Sequence, residues 1–258
     1  MPKSLIYRVV RSGEVRVNKG RAHVDTRLQS GDEVRIPPIR YTEKESEHSA
    51  PPLKLSEMPP ILFEDQNIMV VDKPAGMASH GGSGISYGLI ERMRASRPEL
   101  PFLELVHRLD RGTSGVLVLA KTRKALVRLH EMIREGEMPK TYQALVKGDW
   151  QNDRQHAKFP LFKYVTPSGE RRVRVDPENG LPSHSIFRLK ERFGPVSLVE
   201  VDLLTGRTHQ IRVHAAELGF PLVGDEKYGD FAFNDEVAHG SLGVPFKRMF
   251  LHLSLIHI

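Results

Sequence analysis

The sequence has no cysteine among its 258 residues. That excludes disulfide staples, thiolate nucleophiles and cysteine-bound zinc, and it predicts a reducing, cytoplasmic setting. No apolar run approaches the roughly 20 residues that a membrane-spanning helix needs. The N-terminus also lacks a charged segment followed by an apolar core, so neither membrane attachment nor secretion is expected. The glycine loop His80-Gly81-Gly82-Ser83-Gly84 has no lysine followed by Ser or Thr; it is no P-loop, and a flexible loop explains it as well as a phosphate cradle. His209 and His214 are five positions apart, on different faces of a helix, without a glutamate in the zinc-protease order. No metal and no cofactor are expected.

What is present suits a folded domain with a smaller companion. Hydrophobic residues make up 39% of the chain, enough for a real core. Lys and Arg number 38 against 32 Asp and Glu, a net charge of +6 that permits nucleic acid as a partner without requiring it.

Residues 4–12 predict a short helix stopped by Gly13. Two alternating stretches follow, Glu14 to Asn18 and Gly31 to Ile36, which predict a small β unit. Arg8, Arg11 and Arg16 lie in this segment with further basic residues, a density that suits phosphate contacts as well as an ordinary solvated face. Residues 37–60 hold three Pro-Pro pairs around Glu43-Lys44-Glu45-Ser46-Glu47 and predict an extended or disordered linker between domains 1–36 and 61–252. Beyond it, strands are predicted around the turn Asp65-Gln66-Asn67, over Gly115 to Lys121, over Lys140 to Val146 and over Val196 to Leu203. Helices are predicted after Ser86, after Thr122 and after Thr208, those residues serving as caps. Ser168 to Val175 predicts an arginine-rich hairpin arm, and Met249 to His252 begins a last strand. Residues 253–258 read as a translated sequencing-adapter sequence, with a natural C-terminal segment expected to be missing.

One stretch stands out. His107-Arg108-Leu109-Asp110-Arg111-Gly112-Thr113-Ser114-Gly115 places a carboxylate among arginines, a histidine and hydroxyls, immediately before a strongly apolar run. Arg108 and Arg111 flank Asp110 closely enough to hold it ionised. A turn or helix-cap role is the plain alternative.

Together with Lys140-Thr141-Tyr142 and Gly206-Arg207-Thr208-His209-Gln210-Ile211-Arg212, in that order, this stretch resembles the RluA family of RNA pseudouridine synthases, and within it the RluC type. Lys73-Pro74, Gly224-Asp225 and Tyr228-Gly229 match as well. Residues 1–36 resemble a shortened S-four-type RNA-binding domain. The resemblance implies an α+β pseudouridine synthase fold, with a mixed, mainly antiparallel sheet and flanking helices. It implies a monomer that isomerises uridines in large-subunit ribosomal RNA, with Asp110 as catalytic carboxylate, Arg212 as its ion-pair partner and Tyr142 stacked on the uracil. Arg108 would fill the space left by the flipped base, and Leu145 would pack against the uracil. His107, Thr113, Gln210, Arg8, Arg11 and Arg16 are the further RNA-binding candidates. The rival reading is a non-catalytic protein that binds structured RNA; a His-Asp hydrolase lacks a Ser or Cys in a nucleophile-elbow setting.

Overall fold

The structure, a computed structural model, describes residues 3–38, 50–82 and 86–258. The chain divides into two compact units, residues 1–49 and 50–258. In the first, helix α1 (Lys3–Arg11) ends at Gly13, whose φ of +76° gives the left-handed turn that glycine adopts without strain. Strands β1 (Arg16–Val17), β2 (Gly20–Arg21) and β3 (Val34–Arg35) form a small antiparallel sheet in the order β2-β1-β3. Arg8, Arg11 and Arg16 are all exposed.

The second unit is built on a nine-stranded sheet. Its strands are β4 (Ile61–Glu64), β5 (Ile68–Lys73), β6 (Glu104–Leu105), β7 (Ser114–Ala120), β8 (Lys140–Lys147) and β9 (Arg154–Ala157), then β12 (Ser185–Arg192), β13 (Val196–Leu203) and β14 (Leu251–Ile256). Strands β10 (Leu161–Val165) and β11 (Arg171–Val175) stand apart as an antiparallel hairpin, the arginine-rich arm that the sequence predicts. Across the sheet the order is β4-β5-β7-β14-β8-β13-β12-β9, with β6 also on β7; β14 runs parallel to β7 and every other pairing is antiparallel. The mixed, mainly antiparallel sheet is therefore present as expected. Among the described residues four α-helices accompany the sheet: α2 (Leu89–Ser96), α3 (Arg123–Glu135), α4 (Gln210–Glu217) and α5 (Phe231–Ala238).

Strand alternation explains the core. On β5, Met69, Val71 and Lys73 alternate inward, and on β8 Tyr142, Ala144 and Val146 do the same. Met69, Val71, Leu117, Leu119, Phe187 and Leu253 lose all solvent contact, each such side chain contributing about 1.5–3 kcal/mol. Helix α3 is capped by Thr122, whose hydroxyl accepts from the Ala125 N–H at 3.1 Å, and it lays Leu126, Leu129 and Ile133 on the sheet as predicted.

Several expectations give way here. Residues 50–60 are not linker: Ala50 and Leu53 are buried, the Leu53 N–H donates to Ser96 Oγ at 2.7 Å, and Glu57 pairs with Arg92 at 2.6 Å. Prolines limit hydrogen bonding but not packing, so this segment docks; residues 39–49 lie outside those described. The cap of α2 is Gly88, not Ser86, because Glu91 reaches back to the Gly88 N–H at 2.8 Å and a β-carbon at 88 would strike the His80 backbone. Residues 253–256 complete β14, and Leu253 is fully buried between β7 and β8.

Candidate active site

Asp110 sits in the loop between β6 and β7, and the loop is pinned from three sides. Buried Ser79 donates its hydroxyl to the Leu109 carbonyl at 2.8 Å and accepts the Leu109 N–H at 3.0 Å. The Gly76 N–H donates to the Arg111 carbonyl at 2.8 Å, while Arg111 Nε returns to the Gly76 carbonyl at 3.0 Å. The Thr113 N–H closes a turn on the Asp110 carbonyl at 3.1 Å. Gly115, at φ +115°, then brings β7 so close to β14 that a β-carbon there would lie 2.2 Å from the Leu253 carbonyl oxygen. The glycine in the motif is thus required by backbone approach.

The loop delivers Asp110 to a cleft of about 680 Å³, lined by the three motifs named from sequence together with the end of α3 and the segment that leads into β8. Arg212, from α4, is buried and faces two carboxylates. It grips Asp225 with Nε and one terminal nitrogen, both at 2.7 Å, and offers its other terminal nitrogen to Asp110 Oδ2 at 3.5 Å. Arg212 thus reaches Asp110 as the sequence reading expects, while its shorter bonds go to Asp225, a second partner which that reading did not name. Burial alone would lower the Arg212 pKa, but the Asp225 bonds and charge hold it above the ordinary value. Burial would likewise raise Asp225, yet the hydrogen bonds and charge of Arg212 hold it below the usual carboxylate range, helped by the Lys227 and Tyr228 N–H groups at 2.8 and 3.1 Å.

Tyr142 lines the cleft from β8, and burial, then the charge of Asp110, push its phenol well above the ordinary value. Lys73 is fully buried, its ammonium donating to the Pro74 and Met77 carbonyls at 2.8 and 2.7 Å. Burial pulls its pKa down to about 8, while Asp110 opposes that fall. His209 approaches Asp110 Oδ2 with Nε2 at 3.8 Å and meets the Tyr228 hydroxyl with Nδ1 at 2.8 Å. Its pKa is lowered by burial, against the charge of Asp110.

Other candidates from sequence fare differently. Leu145 points away from the cleft, packing with Val196, Val223 and Val237; three residues from Tyr142 on a strand, it must face the opposite side of the sheet. Gln210 is buried and its amide is fully committed, accepting from the Arg207 N–H at 3.0 Å and Thr205 Oγ1 at 2.8 Å and donating to His184 O at 3.0 Å and Ser185 Oγ at 2.8 Å. It braces the entry to α4 and has nothing left for RNA. His107 lines the cleft, but its Nε2 accepts the Val118 N–H at 3.2 Å, and burial with the nearby Lys140 charge pushes its pKa down to about 3. Thr113 is a buried turn residue that also lines the cleft. Arg108 and Arg111 do not clamp Asp110: Arg108 is exposed and meets His80 at 3.0 Å, and Arg111 is spent on Gly76.

The cap of α4 is His209, not Thr208. Residues 210–215 of this helix are all buried, and His214 places its ring nitrogens on Ser183 Oγ and Ser185 Oγ at 2.8 and 3.0 Å. Asp225, His209, Tyr228 and Lys73 are the residues that sequence reasoning did not assign to the site. All four stand in stretches that the resemblance includes, so the signal that could have found them is that match and not a local pattern.

Among the described residues Asp110 is the one carboxylate that lines this cleft, in the company of Arg108, Arg134, Lys140, Arg207 and Arg212. Residues 67–217 match the RNA pseudouridylate synthase family, and the chain belongs to it. It is 51% identical to "Ribosomal large subunit pseudouridine synthase C" of Salmonella typhi, over 99% of this chain and 80% of that protein. The protein of the same name from Escherichia coli (strain K12) is 50% identical over the same shares. Among solved structures, "Human RNA Pseudouridylate Synthase Domain Containing 1" superposes with a TM-score of 0.65 at 28% identity, covering 79% of this chain and 80% of that one. This protein is an RNA pseudouridine synthase, and the reading as a non-catalytic RNA-binding protein falls away.

Proposed function

We propose that this enzyme isomerises particular uridines of large-subunit ribosomal RNA, with Asp110 as its one catalytic carboxylate. The observation that carries the assignment is a contrast between two acids. Asp225 is sealed and occupied by Arg212, whereas the Asp110 side chain is 31% exposed and opens into the cleft. The bacterial relatives carry the ribosomal substrate in their names, and their similarity runs through 99% of this chain.

The carboxylate either attacks C1′ of the ribose or acts as the base that forms a glycal. On both routes the N1–C1′ bond breaks, the uracil turns and a C5–C1′ bond forms; the proton lost from C5 is balanced by one gained at N1. Tyr142 stacks on the uracil. Its phenol is kept protonated first by burial and then by the charge of Asp110, and it ionises more readily once that charge is consumed, as it is in an ester with the ribose. Arg108, whose guanidinium meets the exposed His80 at 3.0 Å, enters the stack in place of the extruded base, offsetting an unstacking cost of a few kcal/mol. Residues 1–36 act as an S-four-type RNA-binding module, with the exposed Arg8, Arg11 and Arg16 on phosphates. One chain supplies Asp110, Tyr142 and Arg212, which supports a monomer, and the lack of cysteine supports work in the cytoplasm.

The test is pseudouridine mapping in ribosomal RNA from cells lacking the gene, complemented with the wild type or with Asp110→Ala. Sites in large-subunit RNA should return only with the wild type, while the purified variant still binds an RNA fragment. An active Asp110→Ala protein ends the catalytic assignment, and restored sites confined to other RNAs end the substrate assignment.

A further inference from the structure

His209 carries one of three positive φ angles outside glycine among the described residues, +54°, and it stands beside Asp110. A β-carbon disfavours this left-handed conformation, and strain of this kind at a cleft invites a functional explanation. Helix capping does not supply one. His209 occupies the N-cap position of α4, yet its side chain makes no capping hydrogen bond. The backbone instead aims the ring between Tyr228 and Asp110.

The proton positions follow from the partners. Tyr228 Oη already accepts the Val173 N–H at 2.9 Å, so its own proton goes to His209 Nδ1, 2.8 Å away. Burial pushes the Tyr228 pKa up to about 12, which keeps that donor in place at neutral pH. With Nδ1 an acceptor, the neutral ring carries its hydrogen on Nε2, the nitrogen 3.8 Å from Asp110 Oδ2. The charged groups around the ring are Asp110 and Asp225, which favour its protonation, and Arg212 and Lys227, which oppose it; burial, on the same side as the two cations, outweighs the carboxylates and keeps the ring neutral.

We propose that His209 is a positioning residue for Asp110: a neutral imidazole, fixed in one tautomer by Tyr228, that presents Nε2–H to the carboxylate and sets the direction in which its free oxygen meets the ribose. This rests on Asp110 being the catalytic carboxylate. Arg212 alone cannot fix that direction, since its short bonds go to Asp225 and its contact with Asp110 is 3.5 Å. Arg212 Nη1 at 3.5 Å and His209 Nε2 at 3.8 Å both face Oδ2, and drawing in the imidazole by a few tenths of an ångström makes two donors on that oxygen and leaves the other to the cleft.

The experiment combines kinetics on a uridine-containing RNA fragment with 15N spectra of the histidine rings in the full chain. His209→Gly fits the backbone angle but removes the donor; kcat should fall about 10- to 100-fold with KM changed less than about threefold. His209→Gln, which restores an N–H at the ε position, should regain most of the lost rate. Tyr228→Phe should lower kcat less and add nothing to His209→Gly, because both act through one hydrogen bond. The wild-type ring should carry its proton on Nε2, and Tyr228→Phe should give a mixture of tautomers. An Nδ1–H ring in the wild type overturns the proposal whatever the kinetics. So does a His209→Gly enzyme within about twofold of wild-type kcat while Asp110→Asn is inactive, or a loss confined to KM. An active Asp110→Asn enzyme instead removes the reading on which this one stands.

Discussion

Asp225→Asn tests how the site is held together. The carboxylate is completely buried and receives four bonds, two from Arg212 and two from the Lys227 and Tyr228 N–H groups. Asparagine keeps the shape but turns an NH2 group toward a donor of Arg212 or of the backbone, leaving a buried guanidinium without its counter-charge. Breaking a buried pair from one side costs about 3–5 kcal/mol. For a domain of this size each kcal/mol lowers Tm by about 2–4 °C, so a fall of roughly 6–20 °C is expected. Trp150, the one tryptophan in the chain and 1% exposed between Phe187 and Phe220, gives a fluorescence signal for unfolding of this unit. The double variant Arg212→Met/Asp225→Asn, which buries no lone charge, should be more stable than Asp225→Asn alone, while both lose activity through disordering beside Asp110. The pH dependence has a definite sign. Because the folded carboxyl titrates below its unfolded value of about 3.9, the stabilisation is complete above that pH and fades as pH falls through the depressed folded value. The gap between wild type and Asp225→Asn should close there. A gap below about 1 kcal/mol at pH 7, or a double variant no better than the single one, refutes the reasoning.

Three further outcomes are expected. Gly115→Ala should destabilise the fold by at least about 3 kcal/mol, seen as a lower denaturant midpoint, because the added carbon collides with the Leu253 carbonyl at a positive φ. Lys73 has a folded pKa of about 8, below its unfolded value near 10.4, so burying its charge costs stability until the pH rises through that interval; relative to Lys73→Met, the wild type should gain about 3 kcal/mol between pH 8 and 10.5 in paired denaturation curves. His214, held neutral with a pKa of about 4, binds its proton later than the unfolded chain does. The wild type should therefore lose about 3 kcal/mol relative to His214→Gln as pH falls from 6.5 to 4, and parallel curves would sink that account.

How much of this was legible in the sequence depends on the range of the interaction. Asp110, Tyr142 and Arg212 were readable because each sits in a local motif, and all three line one cleft. The partner of Arg212 was not, because Asp225 reaches it from a turn after α4 and nothing local marks that carboxylate as buried. Leu145 was misplaced through neglect of a rule that the sequence does obey: an odd separation on a strand reverses the face. Helix α5 went unread although Asp230 caps it by accepting the Phe233 N–H at 3.0 Å; a short helix with little polar contrast gives no clear period. The docking of residues 50–57 depends on Ser96 and Arg92, some 35 to 43 positions away, which prolines in the segment conceal.

The place of β14 in the sheet has a consequence for synthesis. Asp110 introduces β7 and Tyr142 lies on β8, and these strands do not touch: β14, some 110 residues after β8 begins, is laid between them. As the chain leaves the ribosome, the halves β4-β5-β7 and β8-β13-β12-β9 can each pair, but the seam between them stays open until residue 256 has emerged. Contacts of such long range close late. The relative placement of the carboxylate and the tyrosine is thus set by β14, whose pairing with both neighbours joins the two halves of the sheet.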